Sequence, residues 1–387
     1  MRFPEFEEEW KRTFLSKESI INPKTPALEN EFVYIDLESV VKGELINVNQ
    51  ISKSEAPSRA QRVLSDNDIL FQCVRPYQLN NYIYHRQDNR QWVASTGYAQ
   101  IRTKHSINFF YQLLNTPQFN KEVILRCTGT SYPAIASTDL GNIPISICSK
   151  TEQAKIGRFL SLLDERIETQ NKIIEKLESL IRGLNNHLHG KYANDIEISL
   201  TELGKFYNGL SGKSGDDFGS GKPYVTYINV YQNNIIDESM IGYVKISDEE
   251  KQNTLDYGDA LFTISSETPK EVGISSIYLG RSQELYLNSF CFGYRLNDFT
   301  ILNPQYMPYC FSSHKFRKFV YPLAQGSTRF NLHMCHFANK KFKIPTIQNQ
   351  LKIRKLLDST SEKLRIEKLI HISLKEQKSF LLKKLFI

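Results

Sequence analysis

The segment TEQAKIGRFLSLLDERIETQNKIIEKLESLIRGLNNHL, residues 151–188, has the residue spacing of one long amphipathic helix. Nine of its ten positions at alternating steps of four and three are aliphatic, and charged residues fill the other faces. This pattern predicts a helix that pairs along one stripe, as in a coiled coil, and it excludes a membrane span. The stripe, termed the first seam, consists of Ile156, Leu160, Leu163, Ile167, Gln170, Ile174, Leu177, Ile181, Leu184 and Leu188.

A second long helix is predicted at the end of the chain, where a weaker stripe lies 197 residues after the first. Both helices follow an Ile-Pro step, and the proline disfavours extension of the helix toward the N-terminus. Ile366, Leu369, Ile370 and Phe380 lie beside this second seam and are expected to widen it. The second seam includes Leu364, Glu367, His371, Leu374, Leu381 and Leu385.

The globular parts of the chain also repeat. VYIDL at residues 33–37 resembles TYINV at 226–230, and GTS at 129–131 precedes GST at 326–328 by 197 residues. Matches that keep the same order at a nearly constant offset predict two copies of one plan. The predicted organisation is a globular domain at 1–142, a helical segment at 143–190, a second globular domain at 191–343 and a second helical segment at 344–387.

Within each globular domain, short runs rich in β-branched and aromatic residues predict strands, so the predicted fold class is α+β on an α-helical spine. Asn303 and Pro304 are expected to open a short helix that runs through Phe311. The predicted strands are residues 32–37, 69–74, 93–101, 224–230, 260–264 and 274–279.

Composition narrows the class of protein. Six cysteines without a Cys-x-x-Cys pair, and the lack of a signal peptide or long apolar segment at the start, are typical of a reducing cytosol. A formal net charge of +7 permits a polyanionic partner. Residues 75–92 and 314–319 interleave cations, amides and aromatic side chains, which suits contacts to phosphates and base edges, although solvated loops explain the mixture equally well.

Three motifs resemble catalytic or metal sites only in part. GLSGKS at 209–214 lacks the first glycine of a phosphate-binding loop. NPQY at 303–306 resembles a methyltransferase motif, but no cofactor-binding segment accompanies it. His333 and His336 have the wrong spacing for a structural zinc site. Helix caps and ordinary surface side chains explain these motifs better, so no catalytic residue and no metal ligand is predicted.

Three longer runs resemble a known family. IPISICSKTEQAKIGRFLSLLDERIE at 143–168, the opening RFPEF, and GKFYNGLSGKSGDDFGSGKPYVTYINV at 204–230 are similar to segments of the specificity subunit of type I restriction–modification enzymes. With two modules and two long helices, the resemblance spans essentially the whole chain. It departs at Asn349, which stands where the first helical segment has Glu152.

The resemblance implies two target recognition domains, each reading one half of a split site in double-stranded DNA, separated by two antiparallel helices that form a spacer. Two methyltransferase subunits and motor–nuclease subunits would join this chain in defence against foreign DNA. S-adenosylmethionine, ATP and Mg²⁺ would be held by those partners. The chain itself would be a non-catalytic, cytoplasmic subunit with no cofactor, no metal and no membrane contact.

A set of cationic, amide, aromatic and hydroxyl side chains is predicted to contact DNA, because arginine can take guanine with two hydrogen bonds and amides can take adenine. In the first domain these are Arg75, Gln78, Asn80, Arg86, Arg90, Arg102, Lys104, Thr130 and Ser131. In the second domain they are Lys213, Tyr231, Asn233, Lys270, Ser327, Thr328 and Arg329.

Two other functions remain open at this level. The chain could be an adaptor whose duplicated domains bind proteins or RNA, or it could be a self-contained adenine methyltransferase that uses residues 303–306. Neighbouring methyltransferase and nuclease genes, with DNA protection by the assembled complex, would favour the specificity subunit. Methyl transfer by the isolated chain would favour the enzyme.

Overall fold

The chain divides into two compact units in the computed structural model. Unit one consists of residues 1–172 and 369–387, and unit two consists of residues 173–368. Each unit therefore contains one globular domain together with one segment of each long helix. The structure describes residues 2–192, 196–282 and 284–386.

The first globular domain consists of short strands and short helices. Its strands are β1 (Lys11–Phe14), β2 (Ser19–Ile21), β3 (Glu31–Ile35), β4 (Val40–Val41), β5 (Glu44–Leu45), β6 (Asn49–Ser52), β7 (Ala60–Val63), β8 (Ile69–Gln72), β9 (Tyr82–Ile83), β10 (Trp92–Ser95), β11 (Tyr98–Thr103) and β12 (Pro144–Ile147). Its helices are α1 (Leu15–Glu18), α2 (Ile107–Leu114), α3 (Pro117–Leu125), α4 (Ser137–Gly141) and a 3-10 helix at Pro76–Gln78. The sheets have the strand orders β6-β3-β10-β7, β2-β11-β8-β9, β1-β12 and β4-β5.

The second globular domain follows the long helix α5 (Lys150–Tyr192). Its strands are β13 (Ile196–Ile198), β14 (Gly204–Asn208), β15 (Phe218–Val225), β16 (Ile241–Val244), β17 (Ala260–Thr263), β18 (Ser265–Ser266), β19 (Ser275–Ile277), β20 (Tyr286–Leu287), β21 (Cys291–Leu296), β22 (Phe330–Asn331) and β23 (Phe342–Ile344). Its α-helices are α6 (Leu200–Leu203), α7 (Tyr227–Gln232), α8 (Met307–Ser312), α9 (His314–Val320) and α10 (Met334–Ala338), and the second long helix, α11 (Ile347–Leu385), follows. Its 3-10 helices are Gly215–Asp217, Glu238–Met240, Pro269–Glu271 and Tyr321–Leu323. The sheets have the strand orders β14-β21-β17-β19, β16-β15-β20, β13-β23 and β18-β22.

The two domains share the arrangement of one four-stranded sheet and one strand pair, and this confirms the repeat predicted from the sequence. The sheet β2-β11-β8-β9 corresponds to β14-β21-β17-β19, and the pair β1-β12 corresponds to β13-β23. Another sheet of each domain contains a parallel pair, which β3 forms with β10 and β15 forms with β20. The fold is α+β with two long helices, as predicted.

The central strands are continuous apolar runs because both of their faces are covered. All four residues of β8, β10 and β17 are buried. Phe71 and Phe119 meet edge to face in unit one with ring centroids 5.8 Å apart, and Phe262 stacks on Phe292 in unit two at 5.4 Å. Burial of an aromatic side chain of this size contributes roughly 1.5–3 kcal/mol, so these rings dominate both cores.

The two long helices predicted from the sequence are confirmed as α5 and α11. All ten first-seam positions of α5 are buried or half-buried, and so are the second-seam positions of α11. In unit one, Ile156 near the start of α5 shares a core with Leu385 at the end of α11. In unit two, Leu188 near the end of α5 shares a core with Ile353 near the start of α11. Asp164 also pairs with Lys378 in unit one and Glu178 pairs with Lys368 in unit two, so within each unit the two helices are antiparallel.

Four apolar residues beside the second seam do not widen it, so this expectation is wrong. Ile366, Leu369, Ile370 and Phe380 are 45%, 52%, 37% and 50% exposed. They lie off the stripe that faces α5, and on a helix such neighbouring positions are turned away from the contact.

The limits of two predicted strands are also wrong. The segment 224–230 is not one strand, because β15 ends and the Thr226 hydroxyl accepts the Asn229 N–H, which caps α7. The segment 93–101 forms two strands, β10 and β11, which belong to different sheets and are joined by a turn at Thr96 and Gly97. In both places a local turn interrupts an apolar run that is continuous in the sequence.

Two buried glutamines at equivalent positions tie the long helices to the globular domains. The Gln153 amide donates to the Cys148 carbonyl at 2.8 Å and accepts the Ser106 N–H at 3.3 Å. The Gln350 amide donates to the Pro345 carbonyl at 2.9 Å and accepts the N–H of Asn303, the residue equivalent to Ser106, at 2.9 Å. Each glutamine thus holds the start of a long helix against the loop before α2 or α8.

We expect Leu385→Ala to destabilise unit one although this residue is near the end of the chain. Leu385 is 4% exposed in the core that also contains Ile156, so truncation should cost about 2–5 kcal/mol. Ile372→Ala, at a 52% exposed position of the same helix, is the control and should change stability by less than about 0.5 kcal/mol. Urea unfolding measures the free energy of unfolding, and hydrogen exchange at residues 69–145 shows whether the loss lies in unit one. Equal losses of stability in the two variants would contradict the described packing.

We expect the cysteines to react with iodoacetamide at different rates. Burial raises the pKa of Cys291 and Cys310 to about 12, so at pH 8 these thiols stay protonated and covered. Cys335 is exposed and should be alkylated first. Mass spectrometry of peptides after timed labelling measures the order, and early labelling of Cys310 would contradict the described core.

Candidate nucleic-acid interface

Two loops lie side by side in the first globular domain, and they hold several of the residues predicted to contact DNA. The 3-10 turn at Pro76–Gln78 lies beside a hairpin, because a β-bridge joins Ala134 of the hairpin to Val74 before the turn. We term residues 75–79 and 129–133 tip one. The tip is thus a pair of loops fixed by backbone hydrogen bonds to the sheet below.

The backbone of tip one is strained on both sides of the turn. Arg75 and Leu79 have φ of 54° and 55°, in the left-handed region that side chains other than glycine rarely adopt. The Arg75 N–H donates to the Pro133 carbonyl at 2.7 Å, and the Leu79 N–H donates to the Pro76 carbonyl at 3.1 Å. Such strain costs of order 1–3 kcal/mol per residue and concentrates at binding sites, so it marks this turn as a candidate.

Exposed side chains cover tip one. The Arg75 guanidinium lies over the Tyr132 ring, 4.3 Å from its centroid. Tyr132 is 66% exposed and Tyr77 is 57% exposed. Thr130 and Ser131, which the sequence predicted to contact DNA, are exposed in the same hairpin. The sequence analysis missed the two tyrosines, although each stands next to a proline, which was a visible signal of an aromatic residue in a turn.

The second domain has the same pair of loops. The 3-10 turn at Pro269–Glu271 follows β18, which pairs with β22 at the base of a hairpin. We term residues 267–271 and 326–329 tip two. Gly326 has φ of 131°, and a Cβ there would lie 2.1 Å from the Arg329 carbonyl oxygen, so this tight hairpin requires glycine. The exposed predicted residues of tip two are Lys270, Ser327, Thr328 and Arg329.

A largely buried arginine holds tip two in place. The Arg317 guanidinium donates to the carbonyls of Lys270, Val272 and Gly273 at 2.8, 2.6 and 2.6 Å. Burial without a carboxylate partner lowers the pKa of Arg317 to about 10. The equivalent residue of the first domain is Asn120, so these three hydrogen bonds are specific to the second domain. The sequence analysis did not identify Arg317.

Two predicted contact residues of the second domain are engaged inside the protein. The Tyr231 hydroxyl donates to the Glu271 carboxylate at 3.1 Å, and hydrogen bonds from Thr268, Tyr231 and Ser266 lower the pKa of that carboxyl. The Asn233 amide donates to the Asn229 side chain at 3.1 Å. Tyr231 thus stabilises tip two through its hydrogen bond to Glu271, the last residue of the 3-10 turn.

The remaining predicted residues of the first domain are more dispersed. Arg86 and Lys104 are exposed. Gln78 accepts a hydrogen bond from Gln72, Asn80 accepts one from the backbone of Lys42, and Arg90 forms an ion pair with Asp88. The structure brings Arg75 and Gln78 together with Thr130 and Ser131, and it does not unite the rest with them.

Arg102 belongs to a structural pair that occurs in both domains. Its guanidinium donates to both oxygens of the fully buried Asp68 carboxylate at 2.8 and 2.9 Å. In the second domain Arg295 contacts the buried Asp259 in the same way at 2.9 and 2.7 Å. Removal of either arginine would leave a buried carboxylate without its main partner. A role of Arg102 in DNA contact stays a prediction, and its clearest contact is internal.

The motifs that resemble enzyme sites have structural contacts. Lys213 forms an ion pair with Glu250, which lowers the pKa of that carboxyl to about 2. The Asn303 side chain accepts the N–H groups of Gln305 and Tyr306, which holds a turn, and the helix predicted to start here begins later as α8. Among residues 2–192, 196–282 and 284–386, no group of three or more histidine, cysteine, aspartate or glutamate side chains could hold a metal ion.

Within the same described ranges, no helix is both long enough and apolar enough to cross a membrane.

A family model described as the type I restriction modification DNA specificity domain matches residues 7–179 and 196–376. The specificity subunit of the type I restriction enzyme HindI from Haemophilus influenzae is 25% identical over 158 residues, which cover 39% of this chain and 34% of that protein. The match thus spans about a third of the length of that relative.

Solved structures show the same fold over nearly the whole chain. A chain from a study of complex assembly and conformational transition of the type I R-M system is 19% identical, with a TM-score of 0.60 over 97% of both chains. The type I restriction–modification S subunit from M. genitalium is 18% identical, with a TM-score of 0.54 over 98% of this chain and 96% of that one. Because the family model covers most of the chain in two copies, the chain belongs to the type I restriction–modification DNA specificity family.

Proposed function

We propose that this chain is the DNA sequence-specificity subunit of a type I restriction–modification complex and that it contacts a bipartite target through tip one and tip two. The observation that carries the proposal is the repetition of one loop frame with different side chains. Both tips present an arginine, a threonine and a serine, but tip one adds Tyr77 and Tyr132, whereas tip two adds Lys270. Two readers with one geometry and different chemistry suit a target whose halves differ in sequence.

The charges of the tips support contact with DNA. Lys270 and Arg329 are exposed and Arg75 is half-buried, so tip two and, to a smaller extent, tip one carry cations that can neutralise phosphates and make binding depend on salt. The Gly129 and Gly326 hairpins allow the backbone of both tips to approach a phosphate closely. An adaptor for proteins would not require this repeated cationic frame.

We propose further that two methyltransferase subunits and motor–nuclease subunits assemble on this chain in the cytoplasm. The catalysis, S-adenosylmethionine, ATP and Mg²⁺ would then belong to those partners. One observation disfavours a methyltransferase site in this chain. The Asn303 oxygen, which such a site would need, already accepts two backbone N–H groups.

The experiment that tests the proposal starts from methylation-sensitive sequencing of the source genome, which gives the two half-sites. We expect Tyr77→Ala and Arg75→Ala, in the complex with methyltransferase subunits, to weaken binding about 10-fold or more and to relax one half-site only. Arg329→Ala should act on the other half-site. Binding measured on duplexes with one half-site scrambled separates the two effects.

Arg166→Ala, at an exposed position of α5, is the matched control for loss of a positive charge. It should leave the preference for both half-sites unchanged. If the tip variants bind both half-sites like the unaltered chain, or if the complex does not protect any split site, the proposed function is wrong.

We expect Arg317→Met to loosen tip two, because three carbonyls lose their common donor. Amide exchange of residues 268–273 should become faster, and binding to the half-site read by tip two should weaken. Lys318→Met, at the exposed neighbouring position, is the control and should change neither measurement. Unchanged amide exchange in Arg317→Met would show that the hydrogen bonds of Arg317 are not needed to hold tip two.

A further inference from the structure

The ends of the two long helices dock into the globular domains with different chemistry. The end of α11 packs on the first domain, and the end of α5 packs on the second domain. Positions 197 residues apart are equivalent in the repeat. The equivalent pairs are Leu382 and Asn185, Leu385 and Leu188, Phe386 and His189 on the helix ends, and Phe109 and Tyr306 on the domains.

In unit one the docking site is apolar. Phe386 is 8% exposed and lies against Phe109 and Trp10, with ring centroids 5.2 and 6.1 Å apart. Trp10 and Phe109 contact each other at 5.8 Å, so three rings close the site. Aromatic contacts of this kind stabilise the site through ring packing, and the Trp10 indole N–H donates to Glu152 at 3.3 Å and not to the end of α11. We term Trp10 and Phe109 the apolar docking site.

In unit two the equivalent site is polar. His189 is 3% exposed and stacks on Tyr306 with ring centroids 5.5 Å apart. The Nδ1 atom of His189 lies 2.8 Å from the Asn185 carbonyl, and Nε2 lies 2.7 Å from the Tyr306 hydroxyl. We term Tyr306, together with the Tyr309 carbonyl that accepts the Asn185 amide at 2.9 Å, the polar docking site.

The partners in the polar docking site determine the direction of each hydrogen bond. A carbonyl oxygen can only accept, so Nδ1 of His189 carries the proton that it donates to the Asn185 carbonyl. In the neutral ring Nε2 is then an acceptor, and the Tyr306 hydroxyl donates to it. The Tyr306 hydroxyl and Nε2 of His189 thus satisfy each other as donor and acceptor. In the apolar docking site the equivalent residues are Phe109 and Phe386, which offer neither group.

We propose that this difference matches each helix end to one docking site and thereby disfavours pairing of the chain with a second copy of itself. The seams of α5 and α11 occupy equivalent positions 197 residues apart, so α5 of a second copy could lie antiparallel on α5 of the first. His189 of that copy would then meet Phe109, where no hydroxyl faces Nε2. In the reverse exchange Phe386 would meet Tyr306, whose buried hydroxyl would lose its acceptor. An unsatisfied buried polar group opposes both exchanges.

A double-mutant cycle on the full-length chain tests the matching. His189→Phe and Tyr306→Phe should each lower the melting midpoint of unit two by several degrees, and together they should lower it by less than the sum. The converse cycle uses Phe386→His, which should be partly rescued by Phe109→Tyr. Tyr306→Phe removes a single oxygen atom, so this variant should remain folded. Additive shifts in both cycles would overturn the proposal.

A second experiment tests the exclusion of a second copy. Full-length chains with two different affinity tags are unfolded together, refolded at high concentration and captured through one tag. The variant Asn185→Leu/His189→Phe/Tyr306→Phe, in which both docking sites are apolar, should bring down several-fold more of the other tag than the unaltered chain does. Equal capture would show that the docking sites do not discriminate between copies. Neither experiment involves DNA, so their outcome is independent of the proposed function.

Discussion

The pairing of α5 with α11 along one apolar seam is the interaction on which both units depend. Each helix contributes one segment to each unit, so neither globular domain is completed by the residues next to it in sequence alone. The Gln118 amide, for example, donates to the Lys383 carbonyl across 265 residues of sequence. Closure of such long loops costs entropy, and the buried seam and the docked helix ends must offset it.

The repeat keeps the backbone frame and changes the side chains that the frame presents. Gln153 and Gln350 make equivalent hydrogen bonds at the starts of the two long helices. The buried Asp68 and Asp259 form equivalent ion pairs with Arg102 and Arg295. The tips and docking sites retain their glycines, turns and ring positions, while the groups they expose differ. Conserved geometry with divergent chemistry allows one chain to carry two different readers and two helix ends that are not interchangeable.

Contacts within the protein separate two classes of polar residue that look alike in the sequence. Arg102 and Arg317 are engaged by a carboxylate and by carbonyls, whereas Arg75 and Arg329 are positioned at exposed tips. A cation that neutralises a buried carboxylate contributes mainly to the fold. A cation at a tip, such as the exposed Arg329 on the Gly326 hairpin, remains available to a phosphate, so the tips are the better candidates for DNA contact.

The periodic features could be predicted from the order of the amino acids, because a seam repeats every three to four residues and a duplicated plan keeps a nearly constant offset. The α+β class, both long helices and the family followed from these patterns. Local hydrogen bonds decided what periodicity could not, such as the cap at Thr226 and the turn at Asn303. Only the tertiary structure brought residues 75–79 beside 129–133, and Phe386 onto Phe109, because contacts between distant segments leave no periodic signal.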